Sequence, residues 1–174
     1  INSLAHIWGS QPFTDRNSAR DNGILAFFTF GEGYHNFHHL FENDYRNGIR
    51  WWQFDPTKWL IRIAAWCGLA RDLRSCPEER IEQARLEMQL KRAQARLHKQ
   101  DDRELWQALL QEEYDKLSLQ IQHYYANRKQ LLEQRKRKAL ARYDRLKLQL
   151  EYRNLRDGFL VAKRNWSRLL AGIA

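Results

Sequence analysis

No stretch of this 174-residue chain approaches the roughly 20 consecutive apolar residues that a single membrane-spanning helix needs. Cysteine is scarce as well. Cys67 and Cys76 alone make neither a disulfide framework nor a four-ligand zinc site, and a reducing compartment is the default. Of the three prolines, Pro56 and Pro77 stand where helices are predicted to begin. What apolar material there is falls in short runs rich in Trp and Phe, notably Ile24 to Phe30 and Trp59 to Ala70, the second interrupted by Arg62. Such segments suit a membrane interface or packing on other helices.

Charge is unevenly spread. Residues 1–77 carry 8 Lys+Arg against 7 Asp+Glu and residues 78–174 carry 22 against 14, so the net +9 divides as +1 and +8. The aromatics are concentrated in the first part and the basic character in the tail. A basic segment suits nucleic acid, an anionic membrane surface or plain solvent, and charge alone does not choose among them. The densest basic run, Arg135-Lys136-Arg137-Lys138, reads first as a solvated helix face and next as a lipid contact. Tail aromatics do not alternate with basic residues as a stacking platform for bases requires, so no nucleic acid partner is expected.

Local signals predict an all-α chain. Gly9, Pro12 and the polar run 14–17 end one element in a turn. A helix is predicted from Asn17 or Ser18 to about Leu40, with Gly31 and Gly33 letting another backbone approach closely. Residues 42–56 read as an ordered loop, and Asp55-Pro56-Thr57 as an N-cap with proline at the first helical position, opening a helix to about Leu69. Cys76-Pro77-Glu78-Glu79 opens another. Leu86, Leu90, Ala93 and Leu97 then make a heptad-like stripe. Asp101-Asp102 is a candidate cap, after which Trp106, Leu110, Leu117, Ile121, Tyr124 and Leu131 recur at helical spacing. Asp157-Gly158 reads as a stop before a short amphipathic end with Phe159, Trp166 and Leu169. Residues 77–174 are thus expected to form a basic tail of one or two long helices, folded back or coiled, that can self-associate.

His35, His38 and His39 stand at i, i+3 and i+4, so on a helix their imidazoles share one face and suit a common metal centre. His6 lies 29 residues upstream of His35, with Asn2 one helical turn before it. That pair offers a fourth imidazole and an amide able to hold a ligand or its water. His98 and His123 have no partner at ligand spacing. Cys67 reads as a small core residue. Trp51 and Trp52 read equally as an interfacial anchor or as core, and Arg46 and Arg50 as solvated loop charges before lipid or protein contacts.

Four motifs occur in order: Asn2-Ser3-Leu4-Ala5-His6, Gly-Glu-Gly-Tyr-His-Asn-Phe-His-His at 31–39, Asp44-Tyr45-Arg46-Asn47-Gly48, and Phe54-Asp55-Pro56-Thr57-Lys58-Trp59. Together they resemble the C-terminal end of the stearoyl-CoA (delta-9 acyl-CoA) desaturase family, in its bacterial form, over residues 1 to about 75. One departure is Phe41-Glu42, where relatives commonly carry Phe-Pro. The resemblance implies that residues 1–76 are the C-terminal part of a membrane-embedded catalytic domain whose first two histidine clusters lie elsewhere. It implies that His6, His35, His38 and His39 ligate iron in a two-iron centre, with Asn2 acting through an iron-bound water. It implies O2-dependent insertion of a cis double bond into a saturated acyl-CoA or acyl lipid, with a ferredoxin-like or cytochrome-type electron donor and an active site on the cytoplasmic side. The chain opens at Ile1 inside an apparent motif, which leads to the expectation of a longer protein. A related histidine-rich hydroxylase or monooxygenase, or an interaction protein acting through its tail, are the alternative readings.

Overall fold

The computed structural model describes residues 2–97, 102–136 and 142–173. Among these the chain is all-helical, with two isolated bridges, Ser10 to Asp21 and Asp21 to Tyr34, in place of any sheet. It divides into two compact units, residues 1–88 and 89–174. Within the described residues no helix is long and apolar enough to cross a membrane.

The first unit holds α1 (Asn2–Ile7), α2 (Gly23–Phe28), α3 (His35–Leu40), α4 (Pro56–Trp66) and the start of α5 (Glu78–Leu97). The single helix expected from 18 to 40 is therefore two short ones. Asn22 Oδ1 caps α2 through the amides of Ile24 and Leu25. The chain then reverses where Phe30 and Gly31 take φ of 54° and +103°, values no α-helix contains. Close approach at the glycines holds as expected. A Cβ on Gly33 would lie 2.1 Å from the Ala26 nitrogen, and one on Gly31 would lie 2.8 Å from Asp55 Oδ1. Only glycine lets the two backbone segments meet there.

Much of the loop at 42–56 is ordered by the buried carboxylate of Asp55. Asp55 Oδ1 accepts the Lys58 amide as the α4 cap, while Oδ2 accepts the amides of Asn47 and Gly48 at 2.8 and 2.9 Å. Lys58 Nζ completes the knot by donating to the carbonyls of Gly48 and Arg50. α4 stops at Trp66 rather than near Leu69, because Gly68 turns the chain at φ +76°. Cys67, expected in the core, is the exposed C-cap of that helix. Below the loop lies a core of Phe13, Phe37, Phe41 and Ile81, with Leu40, Ile49, Cys76 and Ala84 against it.

The second unit holds the rest of α5, α6 (Arg103–Lys136) and α7 (Arg142–Gly172). Helices α6 and α7 run antiparallel. Tyr124 stacks on Tyr152 and Phe159 with ring centroids 5.6 and 5.2 Å apart, and Trp106 reaches Gly172. The stripes Leu90, Ala93, Leu97 and Leu110, Leu117, Ile121, Leu131 are buried, as their spacing predicts. Trp166 Nε1 donates to Gln89 Oε1 at 2.8 Å. The tail has three helices in its described residues, not one or two. Asp157-Gly158 stops nothing, since α7 runs through it. Tyr152 and Phe159 pack on Tyr124 from either side of Gly158, which outweighs the ~1 kcal/mol that a mid-helix glycine costs. Asp101, His98, Arg137 and Lys138, and the side chains of Arg135 and Lys136, lie outside the described residues.

Candidate metal centre

Two short helices far apart in sequence meet at the histidines. α1 is tied down by the Arg20 amide donating to the Ala5 carbonyl at 2.8 Å, and the chain after it by reciprocal Ser10 and Asp21 backbone bonds. Asp21 then reaches α3, where its Oδ1 accepts the amides of Asn36 and Phe37 at 2.8 and 3.1 Å. Burial outweighs these two bonds and the charge of Arg85, so the Asp21 pKa rises to about 6. Asn36, fully buried, binds α3 to the preceding loop. Its Oδ1 accepts the amides of Phe13 and Thr14, and its Nδ2 donates to the carbonyls of Thr14 and Ala19.

On this frame His6, His35 and His39 converge, each offering a ring nitrogen within 4.8 Å of the others. The Nε2 atoms of His35 and His39 are 3.0 Å apart, one turn from each other on α3. The His6 ring lies edge-on to both, its centroid 5.0 Å from that of His35 and 5.7 Å from that of His39. His6 Nδ1 is engaged with Ser18 Oγ at 2.8 Å, which leaves Nε2 as its nitrogen for a ligand role. His38 is not in the three-ring group. Its ring is exposed, with its centroid 6.4 Å from that of His35 and 6.0 Å from that of His39. Asn2 sits on α1 one turn before His6, but its side chain lies outside the described residues. The His35 pKa falls to about 4, first through burial and then through repulsion by His39, His6 and His38. His35 is therefore neutral near pH 7, the state a metal ligand requires. Three converging ring nitrogens, one ring oriented by a hydroxyl, form a donor set that fits a first-row transition metal.

The other singled-out side chains fall elsewhere. Arg46 is no free loop charge, because its guanidinium grips both oxygens of buried Asp44 at 2.9 and 2.7 Å. Asp44 also takes the Cys76 amide, which fastens the start of α5 to the loop. Arg50 is exposed above Trp52. Trp51 and Trp52 are 84% and 59% exposed, so they form no core within this chain. His123 is exposed, as expected. Ser18, Asp21 and Asn36, which hold the histidines in place, gave no sequence signal. Each is a common turn or loop residue, and only the folded geometry gives it a partner.

The Fatty acid desaturase family matches residues 1–65. Residues 1–65 are thus similar in sequence to members of that family. Acyl-CoA desaturase 1 of Saccharomyces cerevisiae is 54% identical over 92 residues, 53% of this chain and 18% of that relative. Probable acyl-CoA desaturase of Schizosaccharomyces pombe is 57% identical over 82 residues, 47% of this chain and 17% of that relative. Delta-9 acyl-lipid desaturase 1 of Arabidopsis thaliana is 42% identical over 74 residues, 42% of this chain and 24% of that relative. The chain thus spans less than a quarter of the length of these desaturases. They are fungal and plant proteins, and the bacterial form gains no support from them. A matched stretch of 92 residues ends no earlier than residue 92, so the likeness to the S. cerevisiae desaturase runs past residue 75 into α5.

Proposed function

We propose that the chain is the C-terminal part of an O2-dependent fatty-acyl desaturase, with residues 1–76 carrying one share of a two-iron site and residues 77–174 a helical tail. The observation that supports this best is the meeting of His6 with His35 and His39, from separate helices, within a segment of desaturase sequence. In this reading His6, His35 and His39 would hold one iron, and His38, offset on the same helix, would serve the other. Asn2 would act through a metal-bound water, as the sequence resemblance implies. The bound irons supply O2 activation. The protein's own residues do the rest: Ser18 fixes the His6 ring, Asp21 and Asn36 fix α3, and burial keeps His35 unprotonated. The names of the relatives favour a double bond, at the delta-9 position in one of them, in an acyl-CoA or acyl lipid. Its cis geometry, the saturated substrate, a ferredoxin-like or cytochrome-type electron donor and the membrane are what the sequence resemblance implies.

The test is made in the complete protein, by product analysis with gas chromatography beside iron per protein. His35→Ala, His38→Ala and His39→Ala should each abolish the olefin and lower iron. Asn2→Ala should lower turnover more than iron. The 174-residue chain by itself should desaturate nothing, because the remaining ligands and the acyl channel lie outside it. A wild-type product that is an alcohol rather than an olefin would replace the desaturase with a hydroxylase.

A further inference from the structure

The histidine cluster depends on how α3 is held, and part of what holds α3 lies beyond the segment that matches the desaturase family, residues 1–65. Ile81, on the first turn of α5, is 3% exposed in the core that contains Phe13, Phe37 and Phe41. One turn further, the Arg85 guanidinium carbon lies 4.9 Å from the centroid of the Phe13 ring. Phe13 in turn meets Phe37 at 5.4 Å and Phe41 at 6.1 Å, and its amide donates to Asn36 Oδ1 at 2.9 Å. Asn36 and Phe37 are the two residues between His35 and His38. Arg85 also lines, together with Asp21, Phe13 and Phe37, a cleft of about 320 Å³. Glu82, one turn back, lies 3.7 Å from Arg85 Nη1 and steadies the guanidinium from its own helix.

We propose that Arg85 is a positioning residue for the metal site: by covering Phe13 and sharing a cleft with Asp21, it fixes the start of α3 and thereby the imidazoles of His35 and His39. The first two turns of α5 then belong to the catalytic unit and not to the tail. The proposal rests on the reading of the cluster as a metal site. The chemistry is specific to a cation. A guanidinium stacks on the face of Phe13 and places positive charge near the carboxylate that carries both leading amides of α3. Its charge is also one of the influences that draw the Asp21 pKa down against burial. Removing it frees α3 to turn about its axis, and shifts of about 1 Å are enough to spoil a converging donor set.

The experiment uses the full 174-residue chain labelled at histidine, with two readouts: the imidazole resonances of the metal-free protein, and the dissociation constant for Co²⁺ alone. Arg85→Gln should displace the His35 and His39 resonances and weaken Co²⁺ binding about tenfold at an unchanged folded fraction. Arg85→Lys, which keeps the charge, should recover most of both. Glu87→Ala, on the exposed side of the same helix, should leave both at the wild-type value. Where Arg85→Gln fails to fold, Arg85→Met, which offers Phe13 an apolar side chain in place of the guanidinium, is read in the same way. If the wild-type chain takes up no Co²⁺, the metal reading falls and the resonances alone decide the positioning role. Unmoved His35 and His39 resonances in a folded Arg85→Gln or Arg85→Met chain would overturn it.

Discussion

Asp21 is held in a conflict that pH can expose. Two amides and the Arg85 charge favour its carboxylate, yet burial dominates and lifts its pKa from 3.8 to about 6. A folded-state pKa above the unfolded value means that the native state binds the extra proton. The group's contribution is therefore fully present below about pH 4 and is lost as the pH rises through about 6. Asparagine keeps an acceptor oxygen toward the amides of Asn36 and Phe37 without the charge. Relative to the wild type, Asp21→Asn should gain about 2 kcal/mol of stability between pH 4 and pH 7. Urea unfolding at the two pH values checks this, and a difference that does not change with pH would contradict the dominance of burial. None of this was legible in the sequence, where Asp21 falls inside the helix expected from residue 18.

At the scale of elements, signals that act locally were legible and those that act across the fold were not. Asp55 as a cap and Pro56 and Pro77 at helix starts follow from chain chemistry within three or four residues. The break between α2 and α3 does not. The apolar and histidine positions continue through it, and the reversal at Phe30 and Gly31 is set by contact with Ala26 and Asp55. Gly158 shows the reverse error, a stop signal overridden by packing on Tyr124. The two glycines should respond oppositely to alanine. Gly158→Ala should raise stability by up to about 1 kcal/mol, because nothing lies within 4 Å of the new methyl group. Gly33→Ala should be destabilising enough to disturb α2 and α3, since the methyl group would overlap the Ala26 backbone. Thermal unfolding of the two variants checks the pair, and equal effects would contradict these backbone placements.

For the molecule as a whole, sequence composition divides the chain near Pro77, where charge and residue type change. The compact unit extends to Met88, however, and Ile81, Ala84 and Arg85 pack within it. In the complete protein, ending the chain after residue 76 should therefore abolish desaturation, while ending it after residue 97 should leave it measurable, with membrane insertion checked separately. Equal activity in the two would return the boundary to Pro77. The histidines themselves were legible, because i, i+3, i+4 spacing is a local pattern. The separation of His38 from the other three was not, since it depends on where α1 lies. The most direct measurement of the central claim is a Co²⁺ titration of the 174-residue chain, followed by visible absorption and repeated with each histidine of the cluster changed to alanine. The account predicts one ion per chain, lost in His6→Ala, His35→Ala and His39→Ala and largely kept in His38→Ala. Binding that survives His35→Ala and His39→Ala, or that depends on His38 alone, would contradict it.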